Sequence, residues 1–477
     1  MTTSHTTEKQ NALSGHVFLY LLARGLPALV SFGSIVVFAR LLGPRAYGYY
    51  SLLIVAATTG NVVLFQWLRL SLLRFYPAYQ ENSQILIAAV LKCFVGLSIF
   101  VLSVGAVAVL VVDSSLERWT YFLAAMMCIL IAWIELTLEL KRAKLQPKLY
   151  GATMLVRATL IFIFGIYTLL WNRSAGALLV STFSAMLVTS VYCMFFWKEN
   201  RNPRQSVELI KILVRYGLPL TPAFAFNFFL SGFDRFFLGK IAGAAVVGEY
   251  AAGADLATQV LGVVLMSINL ASYPIIVRAH EKKDMLAVKI GFEKNLLFYL
   301  VLSTPLIIVF IFQANLITNI LFGNRYGGAT PAVISITAIS AIFFGLKNGH
   351  FDVAFSLAKR TEISLVPNAL GAVACVGAHL VLTQHFGAIG AACSSLTGYT
   401  VALIASIVLG RRFVEIPRWA PHCTFVLLCA AALATFMLVV GPASNSIRGV
   451  IMISGAALIF YVINFLSLRR NPVGVSP

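Results

Sequence analysis

Residues 41–50 read LLGPRAYGYY, and residues 241–250 read IAGAAVVGEY. Gly43 and Gly48 of the first stretch fall where Gly243 and Gly248 fall in the second. Each stretch interrupts two long apolar runs. It is too short for a domain linker and too rich in glycine for a helix interior. A chain that makes the same turn twice is built from a repeat.

The flanks extend that repeat. Arg24-Gly25-Leu26-Pro27 precedes the first turn and Tyr216-Gly217-Leu218-Pro219 the second. Pro27 lies 16 residues before Gly43 and Pro219 lies 24 before Gly243, so the helix leading to the second turn is longer by about two turns. Further along, Phe75-Tyr76-Pro77 is matched by Ser272-Tyr273-Pro274, Lys141-Arg142 by Lys359-Arg360, and Ala175-Gly176-Ala177 by Ile389-Gly390-Ala391. The common order predicts two six-helix halves, 14–197 and 212–410. Six is even, so the halves are parallel repeats about an axis along the membrane normal.

Composition fixes the setting. The chain has 477 residues, 60% hydrophobic and 11% charged, where a soluble protein carries about 25% charged residues. The apolar blocks reach roughly 20 residues or more, enough for a hydrocarbon core of about 30 Å, and they lack the alternation of a barrel. The reading is an all-α integral membrane protein with about fourteen spans near 14–38, 47–73, 84–112, 119–138, 149–171, 175–197, 212–238, 246–276, 292–314, 329–355, 361–384, 387–410, 421–440 and 447–468. The organisation that follows is an N-terminal tail (1–13), a first lobe (14–197), a linker (198–211), a second lobe (212–410), a trailing helix pair (411–468) and a C-terminal tail (469–477). The polar first dozen residues and the long span after them, with no cleavage site, read as an uncleaved first helix.

The net charge of +19 is a topology signal and not a nucleic-acid footprint. With the N-terminus inside, 23 of the 36 Lys and Arg fall in inside segments and 7 in outside ones, the positive-inside bias of an inner membrane with both termini cytoplasmic. Every outside loop is short, so no soluble catalytic domain is expected. The seven cysteines lie in or beside apolar runs without a CxxC pair. They read as small buried hydrophobes, with no disulfide framework, metal site or cofactor.

With Gly25-Leu26-Pro27 in the first span, the stretch ARLLGPRAYGYYSLL around the first turn and FDRFFLGKIAGAAVVGEYAAG (Phe233 to Gly253) around the second make the chain resemble the polysaccharide biosynthesis proteins of the multidrug/oligosaccharidyl-lipid/polysaccharide (MOP) exporter superfamily, the Wzx-type flippases. The resemblance covers the twelve-span core, and the trailing pair fits the family's fourteen-span members. It implies a MATE-like arrangement of the lobes. It also implies a flippase for undecaprenyl-diphosphate-linked oligosaccharide, working by alternating access for exopolysaccharide, capsule or O-antigen synthesis. The membrane lipid and a polymerase or co-polymerase complex are the partners it suggests.

Charges inside spans test that expectation, because an Arg or Lys at a helix centre costs about 2.5–3.5 kcal/mol on insertion scales. Arg24, Lys92, Arg157, Arg235 and Lys347 are the candidate substrate-binding cations, suited to a diphosphate in a wet cavity between the lobes. Arg69, close to the inner end of its span, is expected to snorkel. Glu135, Asp234, Asp255 and Asp352 are candidates for gating or for coupling to H+ or Na+, a choice the sequence leaves open. Glu139 reads as a solvated end charge. Pro27, Gly43, Gly48, Pro219, Gly243 and Gly248 are the expected joints. Trp67, Trp119, Trp171, Trp197 and Trp419 read as interface-belt residues, and no aromatic platform is expected. Two other functions fit the sequence less well. A membrane enzyme needs a sizeable external loop carrying acids, Arg or His, which the sequence lacks, and its exposed segments hold no paired acids, His cluster or phosphate-cradling glycine loop. A cation-coupled drug exporter of the same superfamily predicts an acidic cavity, whereas the spans hold six bases against about five acids.

Overall fold

A computed structural model describes residues 25–111, 115–197, 206–413, 421–440, 455–456 and 459–460. The chain is all-α. Six helices follow in order: α1 (Gly25–Leu42), α2 (Pro44–Phe75), α3 (Ser83–Val111), α4 (Ser115–Ala143), α5 (Pro147–Trp171) and α6 (Ala175–Met194). The seventh span is broken into α7 (Ser206–Gly217) and α8 (Thr221–Ser231), bent by 47° across the Leu218–Leu220 turn, and it continues into the long helix α9 (Phe233–Glu281). After it come α10 (Met285–Phe312), α11 (Ala314–Leu321), α12 (Thr330–Leu346), α13 (Val353–Leu357), α14 (Leu365–Ala378), α15 (Gln384–Gly410) and α16 (Pro421–Val440). Among the described residues ten helices are long and apolar enough to cross a membrane, or eleven if the bent pair makes one span. Two of these runs are interrupted, α9 at Gly243 and Thr361–Gly410 at Gly387. Divided there, the helices match the twelve expected spans up to 387–410, while α16 coincides with the thirteenth but its apolar stretch, Thr424–Thr435, is shorter than a membrane span. The fourteenth lies almost wholly outside the described residues.

The repeat is written in backbone angles. Gly43 has φ 77° and ψ 171°, and Gly243 has φ 80° and ψ 172°. This region is open essentially to glycine alone. Gly323 adopts it a third time, at φ 82° and ψ 177°. The turns at Gly43 and Gly243 are thus one residue long. Gly48 and Gly248, expected in the turns, lie inside the helices that follow and are buried there. Pro44 opens α2 directly after its turn, where a missing N–H costs nothing.

Helices α4 and α13 close with the same cap. Leu145 (φ 53°) and Lys359 (φ 57°) sit in the left-handed region. The next N–H folds back in each case, Gln146 N to Lys141 O at 2.9 Å and Arg360 N to Phe355 O at 2.9 Å, which satisfies carbonyls the helix end leaves open. The sequence match of Lys141-Arg142 to Lys359-Arg360 is therefore out of step by one helical turn. The residues that coincide are Leu145 and Lys359.

The chain divides into two compact units, residues 1–239 and 240–477. The core of the first is built on α2, α3, α4 and α6, with Leu68, Leu72, Leu86, Val90 and Met127 fully buried. Helix α7 belongs to this unit. Its face of Leu209 and Leu213 is buried, while Lys211 and Arg215 face outward. Gly217 lets α7 press onto α2, for a Cβ there would meet Ser71 Oγ and Trp67 Cε3 at 2.6 Å. The 198–211 linker is thus helical from Ser206. Two expected belt residues are core residues instead. Trp67 is 5% exposed and Trp197 2%, the latter donating to Thr137 Oγ1 at 2.9 Å. Trp119 and Trp171 are exposed, and Trp419 lies outside the described residues. In the second unit one core joins α10 to α16 and another joins α9, α10 and α13.

Candidate functional site

Three helices of the first unit bring their charges to one point. Glu135 of α4 accepts a hydrogen bond from Arg157 Nη1 of α5 at 2.7 Å, and its second oxygen lies 3.4 Å from Arg69 Nη1 of α2. Arg69 Nη2 also donates to Gln66 Oε1, one turn back on its own helix. Two guanidinium groups therefore share one carboxylate, and the Glu139 carboxylate also lies near enough to act on Arg69. Arg69 is buried, its side chain 8% exposed, and its Nε–H has no hydrogen-bond partner. Arg157 and Glu135 are 25% and 28% exposed, so the cluster opens on their side. The expectation that Arg69 snorkels is corrected: α3, α4 and α7 cover the end of α2, and its charge stays inside with Glu135. Glu139, one turn further along α4, lies 3.6 Å from Arg142 and is mostly buried, so it is not a solvated end charge.

The other predicted residues of this unit lie elsewhere. Arg24 falls outside the described residues. Pro27 is buried in the first turn described of α1, and Lys92 is exposed on α3. Arg235 is half-buried and donates through Nη1 to Ser51 Oγ of α2 at 2.7 Å. Asp234, buried beside it, accepts the Arg235 backbone N–H at 2.7 Å. Pro219 lies in the turn that bends the seventh span. The same span carries a ladder of phenylalanine rings the sequence reading did not expect: Phe228, Phe229, Phe233, Phe236 and Phe237 contact one another at centroid distances of 5.4–6.5 Å.

The second unit handles its intramembrane charge locally. Lys347 is 1% exposed and donates to Asp352 Oδ2 at 2.7 Å and to Asn348 Oδ1 at 3.3 Å. The turn between them, Lys347–Phe351, is a π-helix, whose extra residue brings positions five apart into contact. His350 pairs through Nδ1 with Asn295 Oδ1 at 2.7 Å, packed by the edges of Phe292 and Phe351. Gly349 is the point of closest approach. A Cβ there would overlap the Tyr299 hydroxyl and come within 3.0 Å of Asn269 Nδ2. Asp255 is half-buried on α9. At the opposite membrane face, Glu249 accepts the Ala329 N–H at 2.7 Å, and its own carbonyl accepts from Thr330 Oγ1 at 3.0 Å, so the loop before α12 is tied to α9. Burial and the nearby Glu249 carboxylate push the Tyr326 hydroxyl in that loop well above its usual range, so it stays neutral.

Gln66, Asn269, Asn295 and Tyr299 are the polar partners that sequence reasoning missed. No group of His, Cys, Asp and Glu among the described residues is arranged to hold a metal.

Residues 37–331 match the family model described as polysaccharide biosynthesis protein. An uncharacterized membrane protein of Methanocaldococcus jannaschii is 29% identical over 210 residues, 44% of this chain and only 41% of that protein's length. A Shigella flexneri protein named for O-antigen transport is 23% identical over 394 residues, 78% of this chain and 92% of that one. Among solved structures, the lipid II flippase MurJ in an inward-closed conformation superposes with a TM-score of 0.76 at 10% identity, over 95% of this chain and 99% of its own. An inward-facing MATE multidrug transporter of the MOP superfamily gives 0.59 at 15% identity, over 83% and 97%. At these identities the structures speak for the fold alone.

Proposed function

We propose that this chain, which belongs to the polysaccharide biosynthesis protein family, is a flippase that carries undecaprenyl-diphosphate-linked oligosaccharide across the cytoplasmic membrane. The single observation that carries the reading is the pair of guanidinium groups, Arg69 and Arg157, gathered on the one carboxylate of Glu135 at a partly open site. A diphosphate has the oxygens to engage both forks. Transport by a multi-pass helical protein with two repeats fits alternating access. The glycan would leave for a polymerase on the far side, for exopolysaccharide, capsule or O-antigen. Arg24, Lys92 and Arg235 are the further cations assigned to the path, Lys347 being held by Asp352, and Asp255 is the carboxylate assigned to coupling with H+ or Na+. The basic loops face the cytoplasm in this reading.

The experiment is reconstitution. The purified chain in proteoliposomes should move a fluorescent undecaprenyl-diphosphate glycan between leaflets, and Arg157→Gln should slow it by about tenfold or more. Movement of cationic dyes with no movement of the glycan lipid would assign the chain to drug export instead.

A further inference from the structure

The Arg69–Glu135–Arg157 cluster sits where the fold does not require charge. Arg69 lies 26 residues after Gly43, and Asn269 lies 26 after Gly243. Glu135 lies 10 residues before Leu145, and Gly349 lies 10 before Lys359, the two left-handed caps. The Arg69–Glu135 contact of the first unit therefore has a counterpart in the second, where Asn269 approaches Gly349 and the Tyr299 hydroxyl fills the space. One repeat closes this helix crossing with neutral groups. The other spends three charges there, although buried ion pairs are weak stabilisers compared with well-packed neutral groups. Arg69 also keeps a buried Nε–H without an acceptor, and such donors are rare in native interiors.

We infer that Glu135 is a displaceable counterion, and that Arg69 and Arg157 form a clamp for a phosphate oxyanion that takes its place. With no ligand, the carboxylate holds the two guanidinium groups together and offsets their repulsion. An incoming phosphate or diphosphate group engages Arg157 from the open side, draws the Arg69 fork away from Glu135 and offers an acceptor to Arg69 Nε. Glu135 then swings toward the exposed side. The carboxylate thus sets selectivity. A weak or singly charged anion does not displace it, whereas a multiply charged oxyanion with several acceptors does. This deepens the flippase reading and rests on it for the identity of the natural ligand, a lipid-borne diphosphate.

The test uses the full chain in phosphatidylcholine nanodiscs, with inorganic pyrophosphate as the probe and calorimetric titration as the readout. Glu135→Gln removes the competitor and should tighten pyrophosphate binding by about tenfold. Arg157→Gln should weaken it by about tenfold, with partial recovery in Arg157→Lys. Pyrophosphate should also raise the Tm of Glu135→Gln more than that of the wild type, because the ligand replaces the missing counterion. Equal affinities within about twofold for wild type, Glu135→Gln and Arg157→Gln would overturn the clamp. If Glu135→Gln does not yield folded protein, Glu135→Asp, too short to bridge both forks, takes its place with the same expected direction. Inorganic phosphate and nanodiscs containing phosphatidylglycerol complete the set. If phosphatidylglycerol competes with pyrophosphate, the clamp takes ordinary phospholipid headgroups; if it does not, the clamp selects a diphosphate. The two readings fail separately. A chain that binds pyrophosphate as expected but moves no glycan lipid retains the clamp and loses the flippase. A chain that moves the lipid with unchanged pyrophosphate affinities does the reverse.

Discussion

Two helix crossings at equivalent places in the repeat have been filled in opposite ways. In the first unit Arg69 of α2 and Glu135 of α4 meet as an ion pair, and Arg157 joins from α5. In the second unit Asn269 and Gly349 meet with the Tyr299 hydroxyl between the helices, and the charge of that region, Lys347 and Asp352, is neutralised within a single π-turn. The first arrangement spreads over three helices and sets two guanidinium groups on one carboxylate. The second is confined to one helix and balanced. The fold supplies the crossing, and the chain is free to place a site or a seal there.

The sharpest way to break this contrast is to unbalance the seal. Lys347→Met leaves Asp352 with one oxygen already lacking a hydrogen-bond partner and no cation beside it, which should cost about 3–5 kcal/mol. The double variant Lys347→Met with Asp352→Leu should recover most of that loss, since a neutral pair of similar volume is tolerated where half a pair is not. Thermal unfolding in detergent checks both. A Lys347→Met chain as stable as the wild type would mean that the pair does not neutralise charge as described.

Removing Arg69 should cost less, about 2–3 kcal/mol for Arg69→Leu, because Arg157 still serves the Glu135 carboxylate. The comparison is sharpened by making the first crossing as neutral as the second. The triple variant Arg69→Leu, Glu135→Leu, Arg157→Leu should unfold within about 1–2 kcal/mol of wild type and yet fail to move glycan lipid. If it is stable and active, the charges at this crossing have no part in transport.

What could be read in the sequence follows the same division. The spans and their turns were legible because they depend on local chemistry: apolar runs of membrane length, and a glycine where only glycine fits. Even the third turn at Gly323 shares the pattern, although its surrounding residues, Asn324 and Arg325, hid it. The ion cluster was not legible. Glu135 finds its partners 66 residues away on α2 and 22 away on α5, and position along a single span placed Arg69 at an interface that α7 in fact covers. Trp67 and Trp197 misled for the same reason, since depth in the membrane does not say which side of a helix faces protein. In the second unit, the Lys347–Asp352 spacing of five is neither i+3 nor i+4, so an ordinary helix would hold the two apart. The π-turn that joins them left no mark in the sequence.

Substitution at the turn glycines tests the repeat with a smaller effect. Gly43, Gly243 and Gly323 share one backbone conformation, and a Cβ at Gly243 or Gly323 would meet nothing within 4 Å. Gly243→Ala and Gly323→Ala therefore report backbone strain without a steric clash, about 1–3 kcal/mol each. Equal costs would show that both turns are held in this conformation. A neutral Gly243→Ala would mean that the break in α9 relaxes easily and is no rigid joint.

The smallest effect is expected at Ser51, and its size decides what Arg235 does. The Ser51 hydroxyl, buried on α2, accepts from Arg235 Nη1 at 2.7 Å. Ser51→Ala removes a charge-assisted acceptor but leaves Asp234 and the backbone in place, so the loss should be about 1 kcal/mol in unfolding free energy. A double-mutant cycle with Arg235→Lys isolates the bond, because the ammonium keeps the charge and loses the fork. A coupling near zero would mean that this bond does not fix the Arg235 fork, and Arg235 would stay among the cations assigned to the transport path. A coupling of about 1 kcal/mol or more would mean that it is a structural strut tying the seventh span to α2, and Arg235 would then leave the set of cations assigned to the transport path.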